Sequence, residues 1–263
     1  VRRRRAAQCC PRLDKILTQF QNNNLMPYTR IIESGNDIEV YEYEISPRNT
    51  GGQTRSRGKR KKSVTRRLDN AYRAKRSFQR LVGANCIGDQ PPALVTFTMF
   101  EILPITHAYS ALTLFVKHLR RLAGTGFRYV AVPEFQSRGA VHFHALFWGL
   151  PPALTEYERG NRILQHLWQR GFVDCLSTDG SPRLAGYLSK YMSKAMYDHR
   201  LSNQKAYSAS RNVMRPVLRT YEEEFADIAP VLYDQGNLST RQEKEFSTQW
   251  FGRGRYKLLT KNI

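Results

Sequence analysis

Negative charge is scarce in this chain. Its 263 residues carry 22 Asp and Glu against 42 Lys and Arg, for a formal net charge of +20. The pI is near 10.1 at a mass of 30.5 kDa. Such an imbalance calls for an anionic partner, nucleic acid first and an anionic membrane second. No apolar run approaches about 18 residues, so no membrane-spanning helix is expected and a membrane partner is set aside. The opening VRRRR is not followed by the apolar stretch of a secretory leader. The four cysteines, Cys9, Cys10, Cys86 and Cys175, form no C-x-x-C pair, which excludes zinc-finger and thioredoxin-like readings. Reduced thiols in a cytoplasm are expected. No repeat occurs beyond one doubled tetrapeptide, YLSKYMSK at 187–194.

With 41% hydrophobic residues the chain can bury a sizeable core. Composition divides it into three segments: a basic region 1–85, a dense core 86–215 and an extension 216–263. Residues 1–60 read as poorly ordered or adaptable, because QNNNLMP and SPRNTGGQTRSRGKR are polar and rich in turn formers. DIEVYEYEI, between them, has strand propensity. Residues 55–80 hold twelve Lys/Arg and one acid, Asp69. Part of this run is helical, with Leu68, Ala71, Tyr72, Phe78, Leu81 and Val82 as its apolar stripe. Arg55, Arg57, Lys59, Arg60, Lys61, Lys62, Arg66 and Arg67, with Arg138 further on, are the candidate phosphate contacts. A solvated face or a localisation tag is the competing reading of such a run.

GDQPP punctuates the chain. ALVTFTMF then reads as a strand. THAYSALTLFVKHLRRLAG is an amphipathic helix with Tyr109, Leu112, Phe115, Val116, Leu119 and Leu122 on one side and Gly124 ending it. FRYVAVPEFQ and AVHFHALFWG are strands around a short turn. A helix ending at Gly171 and the short strand FVDCL follow. SPRLAGYLSKYMSKAMYDH is a helix capped by Ser181, with Pro182 in its first turn. Beyond Pro216 the signals thin out. QWFGRGRYK there mixes aromatic and basic residues, which suits single-stranded nucleic acid or an ordinary surface loop.

Two clusters carry chemistry. In VHFHALF, His142 and His144 leave the same face of a strand, while Val141, Phe143 and Ala145 leave the other. Ser137-Arg138-Gly139 makes a three-residue loop, with Gly139 able to take positive φ. In that register Gln136 faces Ala140 and Glu134 faces His142, so Glu134, His142 and His144 converge. One carboxylate and two imidazoles suit a divalent cation, Mn2+ or Mg2+. A polar sheet surface is the competing reading. In YLSKYMSK, Tyr187, Lys190, Tyr191 and Lys194 follow i, i+3, i+4, i+7 and form one helical stripe. Leu184, Leu188, Met192 and Ala195 form a separate apolar stripe beside it. The tyrosines either pack on neighbours while the lysines snorkel, or they are nucleophiles with cationic partners. On the second reading Tyr191, between two lysines, is the more acidic phenol and the first of the two to react.

Together these residues resemble the HUH endonuclease superfamily, and more closely its two-tyrosine rolling-circle replication initiators, the Rep and single-stranded DNA phage A proteins. LVTFTMF resembles the family's apolar/Thr strand. His142-Phe143-His144 matches its His-hydrophobic-His motif, and Glu134 resembles the third metal ligand of related Rep proteins. Tyr187, Lys190, Tyr191 and Lys194 match its Tyr-x-x-Lys-Tyr-x-x-Lys motif. The resemblance covers roughly residues 93–200. It implies an α+β fold in which a central antiparallel β-sheet carries the metal site, flanked by helices. It also implies metal-dependent nicking and rejoining of single-stranded DNA through a 5′-phosphotyrosyl link, at an origin hairpin or similar site of a phage or plasmid. The expected setting is a bacterial cytoplasm. No G-x-x-x-x-G-K-[ST] stretch occurs, so a host helicase and replication machinery are expected partners. A two-tyrosine transposase or a relaxase is the nearest alternative. No cysteine-rich module and no third histidine beside the pair favour either. A non-catalytic nucleic-acid-binding protein is the alternative of a different class.

Overall fold

The computed structural model describes residues 28–46, 64–87, 91–181, 183–196, 198–201, 204–248 and 252–262. For residues 64–68, 195, 196 and 235 it describes the backbone alone. In chain order the first elements are β1 (Tyr28–Ser34), β2 (Asp37–Tyr43), α1 (Val64–Asn85), β3 (Ala93–Thr98), α2 (Ile105–Ala123), β4 (Arg128–Phe135) and β5 (Val141–Trp148). There follow α3 (Pro152–Thr155), α4 (Tyr157–Trp168), β6 (Val173–Ser177), α5 (Arg183–Met196), β7 (Ser208–Ala209), β8 (Val217–Tyr221), α6 (Phe225–Leu232), β9 (Leu238–Thr248) and β10 (Gly252–Lys261). The fold is α+β, as expected, but with two antiparallel five-stranded sheets where one was anticipated. Among the described residues no helix is long and apolar enough to cross a membrane.

Described residues 28–32, 38–46 and 218–262 form one compact unit; 33–37 and 64–217 form the other. The first unit holds the sheet β8-β1-β2-β10-β9, so strands from the first and last of the three expected segments pair with one another. Ile31, Ile38, Val40 and Leu259 pack against Phe225, Ile228 and Ala229 of α6. The strand expected at DIEVYEYEI is β2. β1 was not expected, and the elements beyond Pro216 form where few signals were read, so the structure corrects both. The remainder of the irregular region expected over 1–60 lies outside the described residues. β9, LSTRQEKEFST, is a sheet edge exposed along most of its length. Charge on both faces keeps such an edge from pairing with other chains and erases the period-two apolar signal.

The second unit holds the sheet β6-β3-β5-β4-β7. On one face, Val95, Phe97, Phe143, Ala145 and Phe147 pack with Leu112, Phe115, Val116 and Leu119 of α2 and Leu164 and Trp168 of α4. On the other, Val130, Val132, Leu146 and Trp148 pack with Phe78, Leu81 and Val82 of α1 and Leu188 and Met192 of α5. Over β4 and β5 both faces are covered, so these two strands read as apolar runs rather than alternating ones, whereas β3 and β6 alternate. Pro133 sits in β4 where β7 no longer pairs, since β7 reaches only Val130 and Ala131. Asn85 ties α1 down: its Nδ2 donates to Leu81 O at 2.8 Å and Met214 O at 2.9 Å, and its Oδ1 accepts from Met214 N at 3.0 Å.

Three details depart from expectation. Tyr72 and Leu122 are exposed rather than part of the apolar stripes of α1 and α2. α4 ends at Gln169, which takes the left-handed conformation (φ 53°), and not at Gly171. Gly171 serves a close approach instead, because a Cβ there would lie 1.9 Å from Thr98 O. Cys86 and Cys175 are free thiols, each pushed up to about 11 by burial.

Phe97 is fully buried, with ring centroids 4.7 Å from Phe115, 5.0 Å from Trp168 and 6.3 Å from Phe147. Phe97→Ala is expected to cost about 3–5 kcal/mol in urea denaturation. A loss below about 1 kcal/mol would show that this cluster is not the core of the unit.

Candidate active site and metal centre

The β4–β5 register places Glu134 opposite His142 and Val132 opposite His144. The turn closes as expected: Gln136 N donates to Ala140 O at 2.9 Å, and Gly139 has φ 94°. On the other side of β5, Thr98 pairs with His142 and Thr96 with His144. Paired residues share a face, so Glu134, both histidines and both threonines lie together on the face that α1 and α5 cover.

His144 is buried between three neighbours. Its Nε2 lies 2.9 Å from Glu134 Oε2, and its Nδ1 lies 3.4 Å from Thr96 Oγ1. Burial lowers its pKa and the charge of Lys194 lowers it further, against the pull of Glu134. The ring is therefore read as neutral, with Nε2–H donating to Glu134 and Nδ1 accepting from the Thr96 hydroxyl. His142 is also held below the usual histidine range, by burial first and then by His144 and Arg138. Its Nε2 is buried without a hydrogen-bond partner. Among the described residues no group of three His, Cys, Asp or Glu side chains is gathered to hold a metal ion. Glu134 has both oxygens engaged, Oε2 by His144 and Oε1 by Lys194 Nζ at 3.2 Å. Of the three expected ligands, Glu134 and His144 are thus bonded to each other, while the His142 Nε2 shares their face without a partner.

α5 lies over this face. Ser181 caps it, its Oγ accepting from Arg183 N at 3.2 Å; Pro182 lies outside the described residues. Buried Leu188 and Met192 seat the helix on the sheet, which turns the tyrosine stripe toward the histidines. The Tyr191 ring stacks on His144, with centroids 3.8 Å apart and planes at 19°. Tyr191 donates its hydroxyl hydrogen to Tyr187 Oη at 2.6 Å, and the two rings meet edge to face at 5.2 Å. Lys194 Nζ lies 5.7 Å from the Tyr191 centroid. Lys190 is exposed and joins none of these contacts. The lowering of the Tyr191 pKa expected from two flanking lysines is not found. Its pKa is pushed up to about 12 by burial, by donation to Tyr187 and by the negative charge of Glu134.

Of the candidate phosphate contacts, Arg55, Arg57, Lys59, Arg60, Lys61 and Lys62 lie outside the described residues. Arg66 and Arg67 lie on α1, where only the backbone is described. Arg138 donates to Phe100 O at 2.7 Å, to Met99 O, and to Gln136 Oε1 at 3.1 Å, bracing the turn against the end of β3.

Sequence reasoning missed four supports. Thr96 orients His144; the phase it shares with His144 across paired strands was the available signal. Gln79 of α1 donates to Ser189 Oγ at 3.3 Å and steadies α5. Just past α5, Arg200 forks onto Asp198 at 2.9 and 2.6 Å, lies 3.8 Å over the Phe135 ring, and donates to Gly139 O at 3.3 Å. This pair joins the end of the tyrosine helix to the turn that carries Glu134 and His142. No periodic pattern announces it.

Residues 92–196 match the model of a replication-associated protein family, the ORF2 type. No curated protein and no solved structure matches the chain. The family match begins beside β3 and ends with α5, so it takes in Thr96, Glu134, both histidines and the whole Tyr/Lys motif. It agrees with the resemblance to HUH-type rolling-circle initiators and supports a role as a replication initiator.

The Asp198 carboxyl is held down at about 2 by hydrogen bonds from Arg200, against 3.8 for a free side chain. A folded-state pKa below the unfolded one gives stability that is complete above about pH 4 and lost as pH falls toward about 2. Arg200 is 37% exposed and therefore screened, so the pair contributes no more than about 1 kcal/mol. Asp198→Asn should melt lower than the parent at pH 6, and the gap should close by about pH 2. A gap unchanged by pH would overturn this account.

Proposed function

We propose that this chain is a metal-dependent, site-specific single-stranded DNA nickase and strand transferase that initiates rolling-circle replication of a phage or plasmid. The observation that carries the reading is the stack of Tyr191 on His144, with the Tyr187 hydroxyl 2.6 Å from that of Tyr191. Two phenols are thereby held over the His/Glu face.

Glu134, His142 and His144 are the residues that would hold a divalent cation, Mn2+ or Mg2+. The fit rests on the buried, unpartnered Nε2 of His142 beside one carboxylate and a second, neutral imidazole. Bound there, the ion supplies Lewis-acid polarisation of a phosphodiester. The protein's own groups do the rest. A tyrosine oxygen attacks phosphorus, forming the O–P bond of a 5′-phosphotyrosyl link as the P–O3′ bond breaks. The phenol gives up its proton, and the departing 3′ oxygen takes one up and leaves as a hydroxyl. Rejoining reverses these steps. Lys194, across the stripe from Tyr191, offsets negative charge near the phosphate. Tyr187 is proposed for the first cut: it is the more exposed phenol, and its oxygen accepts the Tyr191 hydrogen bond, which stabilises developing negative charge. Once Tyr187 is esterified, Tyr191 is the free phenol for the second cut. A host helicase, and the cytoplasm of a bacterial host, complete the proposal.

Covalent trapping on labelled single-stranded plasmid DNA with Mn2+ tests it. Tyr187→Phe/Tyr191→Phe is expected to bind DNA and form no adduct; an adduct would move the nucleophile elsewhere, Tyr197 being the next candidate. Tyr187→Phe alone should lose most initial nicking, and Tyr191→Phe should nick but fail in strand transfer. Chelation, or His144→Ala, should abolish cleavage and spare most DNA binding, which rests on charge. Full nicking in EDTA would end the metal reading. Reversing charges in residues 55–67 should flatten the dependence of log K on log salt by roughly 0.7 per lost phosphate contact. An unchanged slope would make that run a solvated face.

A further inference from the structure

The face of the sheet that bears the histidines is only half covered. α1 and α5 lie on Val130, Val132 and Leu146 of β4 and β5. On the β6 side no described element covers the same face, and the register identifies what it carries. Asp174 lies opposite Thr96, which lies opposite His144. Thr98 N donates to Phe172 O at 2.8 Å, which extends the pairing by one residue and sets Phe172 across from Thr98 and His142. Phe100 follows Thr98 by two residues, and its N donates to Arg170 O at 2.8 Å. Residues two apart on a strand share a face, so Phe100, Phe172, Asp174 and Leu176 stand on the same side as the histidines.

These side chains are unusual for an apolar set. Phe172 is 64% exposed, Phe100 56% and Leu176 42%, while Val173 and Cys175, pointing the other way, are buried. The two phenylalanine rings meet at 5.0 Å and 81°, an edge-to-face pair that leaves ring surface open to solvent. Isolated exposed apolar residues need no explanation, but paired rings on the face of a reactive centre do. Phe172 lies two strands from His142, roughly 10 Å at about 4.8 Å per strand. That is within reach of a base beside the phosphate held under the tyrosines.

We infer that Phe100 and Phe172 form a stacking platform for unpaired DNA bases flanking the scissile phosphate. The inference rests on the nickase reading above and deepens it. Every base has a π-face, so such a ledge takes single strands with little regard to sequence. The charges around it fit bases lying inward with phosphates at the rim. Asp174 is exposed on the ledge and repels phosphate, yet can accept from an exocyclic amino group. Arg138 and Arg170 are exposed at the Phe100 end, and Arg138 is anchored to Phe100 O. A chain with net charge +20 draws a polyanion to such a rim.

Full-length protein is titrated by fluorescence anisotropy with a labelled oligothymidine of about 20 nucleotides, and with one of equal length whose central positions are abasic. Phe100→Ala and Phe172→Ala are each expected to weaken oligothymidine binding roughly 5- to 150-fold. Neither should change the affinity for the abasic strand, the slope against salt or the urea midpoint. Phe172→Trp should restore parental affinity. Parental oligothymidine affinity in both alanine variants would overturn the inference, and so would equal losses on the abasic strand or on duplex DNA. The two readings fail separately. If the phenylalanine variants lose the base-dependent affinity but no tyrosine adduct forms on the parent protein, the platform stands and the nickase reading falls. If adducts form and the variants bind normally, the platform alone falls.

Discussion

The pairing of Glu134 with His142 across β4 and β5 sets the position of every other group in the site. Strand side chains alternate with a period of two, so a slip of one residue would send Glu134 toward the α2 side and leave the histidines without it. Two constraints oppose the slip. The turn accepts one geometry, with Gly139 at φ 94° and Gln136 bonded to Ala140. Both faces of β5 are also buried: Phe143, Ala145 and Phe147 fill one core, Leu146 and Trp148 the other. A shifted register would empty both. Arg138 and Arg200 then clamp the turn from outside, one to the end of β3 and the other to Asp198 beyond α5.

The tyrosine helix answers to that frame through packing rather than through charge. Leu188 and Met192 seat it, and the flat contact of Tyr191 with His144 follows from where they sit. Lys194 spans the gap from the helix to Glu134, so its ammonium belongs as much to the His/Glu face as to the tyrosine beside it. The tandem motif looks symmetric when written out, yet its halves are unequal in space. Tyr191 faces inward and Lys194, though exposed, reaches Glu134, whereas Lys190 is in solvent and Tyr187 is half open. Burial raises a phenol's pKa, and here Tyr187 and Glu134 raise it further.

Much of this centre was legible in the sequence because its signals are local. The register came from one short loop and a period of two; the helix stripe came from spacing alone; Ser181 announced the helix start. What stayed hidden depended on long-range partners. Thr96 matters only once β3 is known to lie beside β5. Asp198 and Arg200 act through a turn about sixty residues earlier in the chain. The expected lowering of the Tyr191 pKa was misjudged because burial and hydrogen-bond direction cannot be read from charge spacing. The first sheet, β2 apart, was unread for a different reason. Its edge strand β9 is charged on both faces, and the β1–β2 pair finds its flanking partners only in β8 and β10, far along the chain.

That last arrangement bears on how the protein is made. β1 and β2 leave the ribosome early, but the strands flanking them in the sheet, β8 and β10, begin at residues 217 and 252. At synthesis rates of about 5–20 residues per second, the gap is on the order of ten seconds or more. Over that interval the hairpin has no neighbours, while every strand of the second sheet is made. In chain order the strands of the tyrosine-bearing unit thus lie between strands of a sheet that closes later. A nascent chain can hold its complete set of reactive side chains before that sheet is complete, with the outer edges of β1 and β2 open to other chains until β8 and β10 have been made.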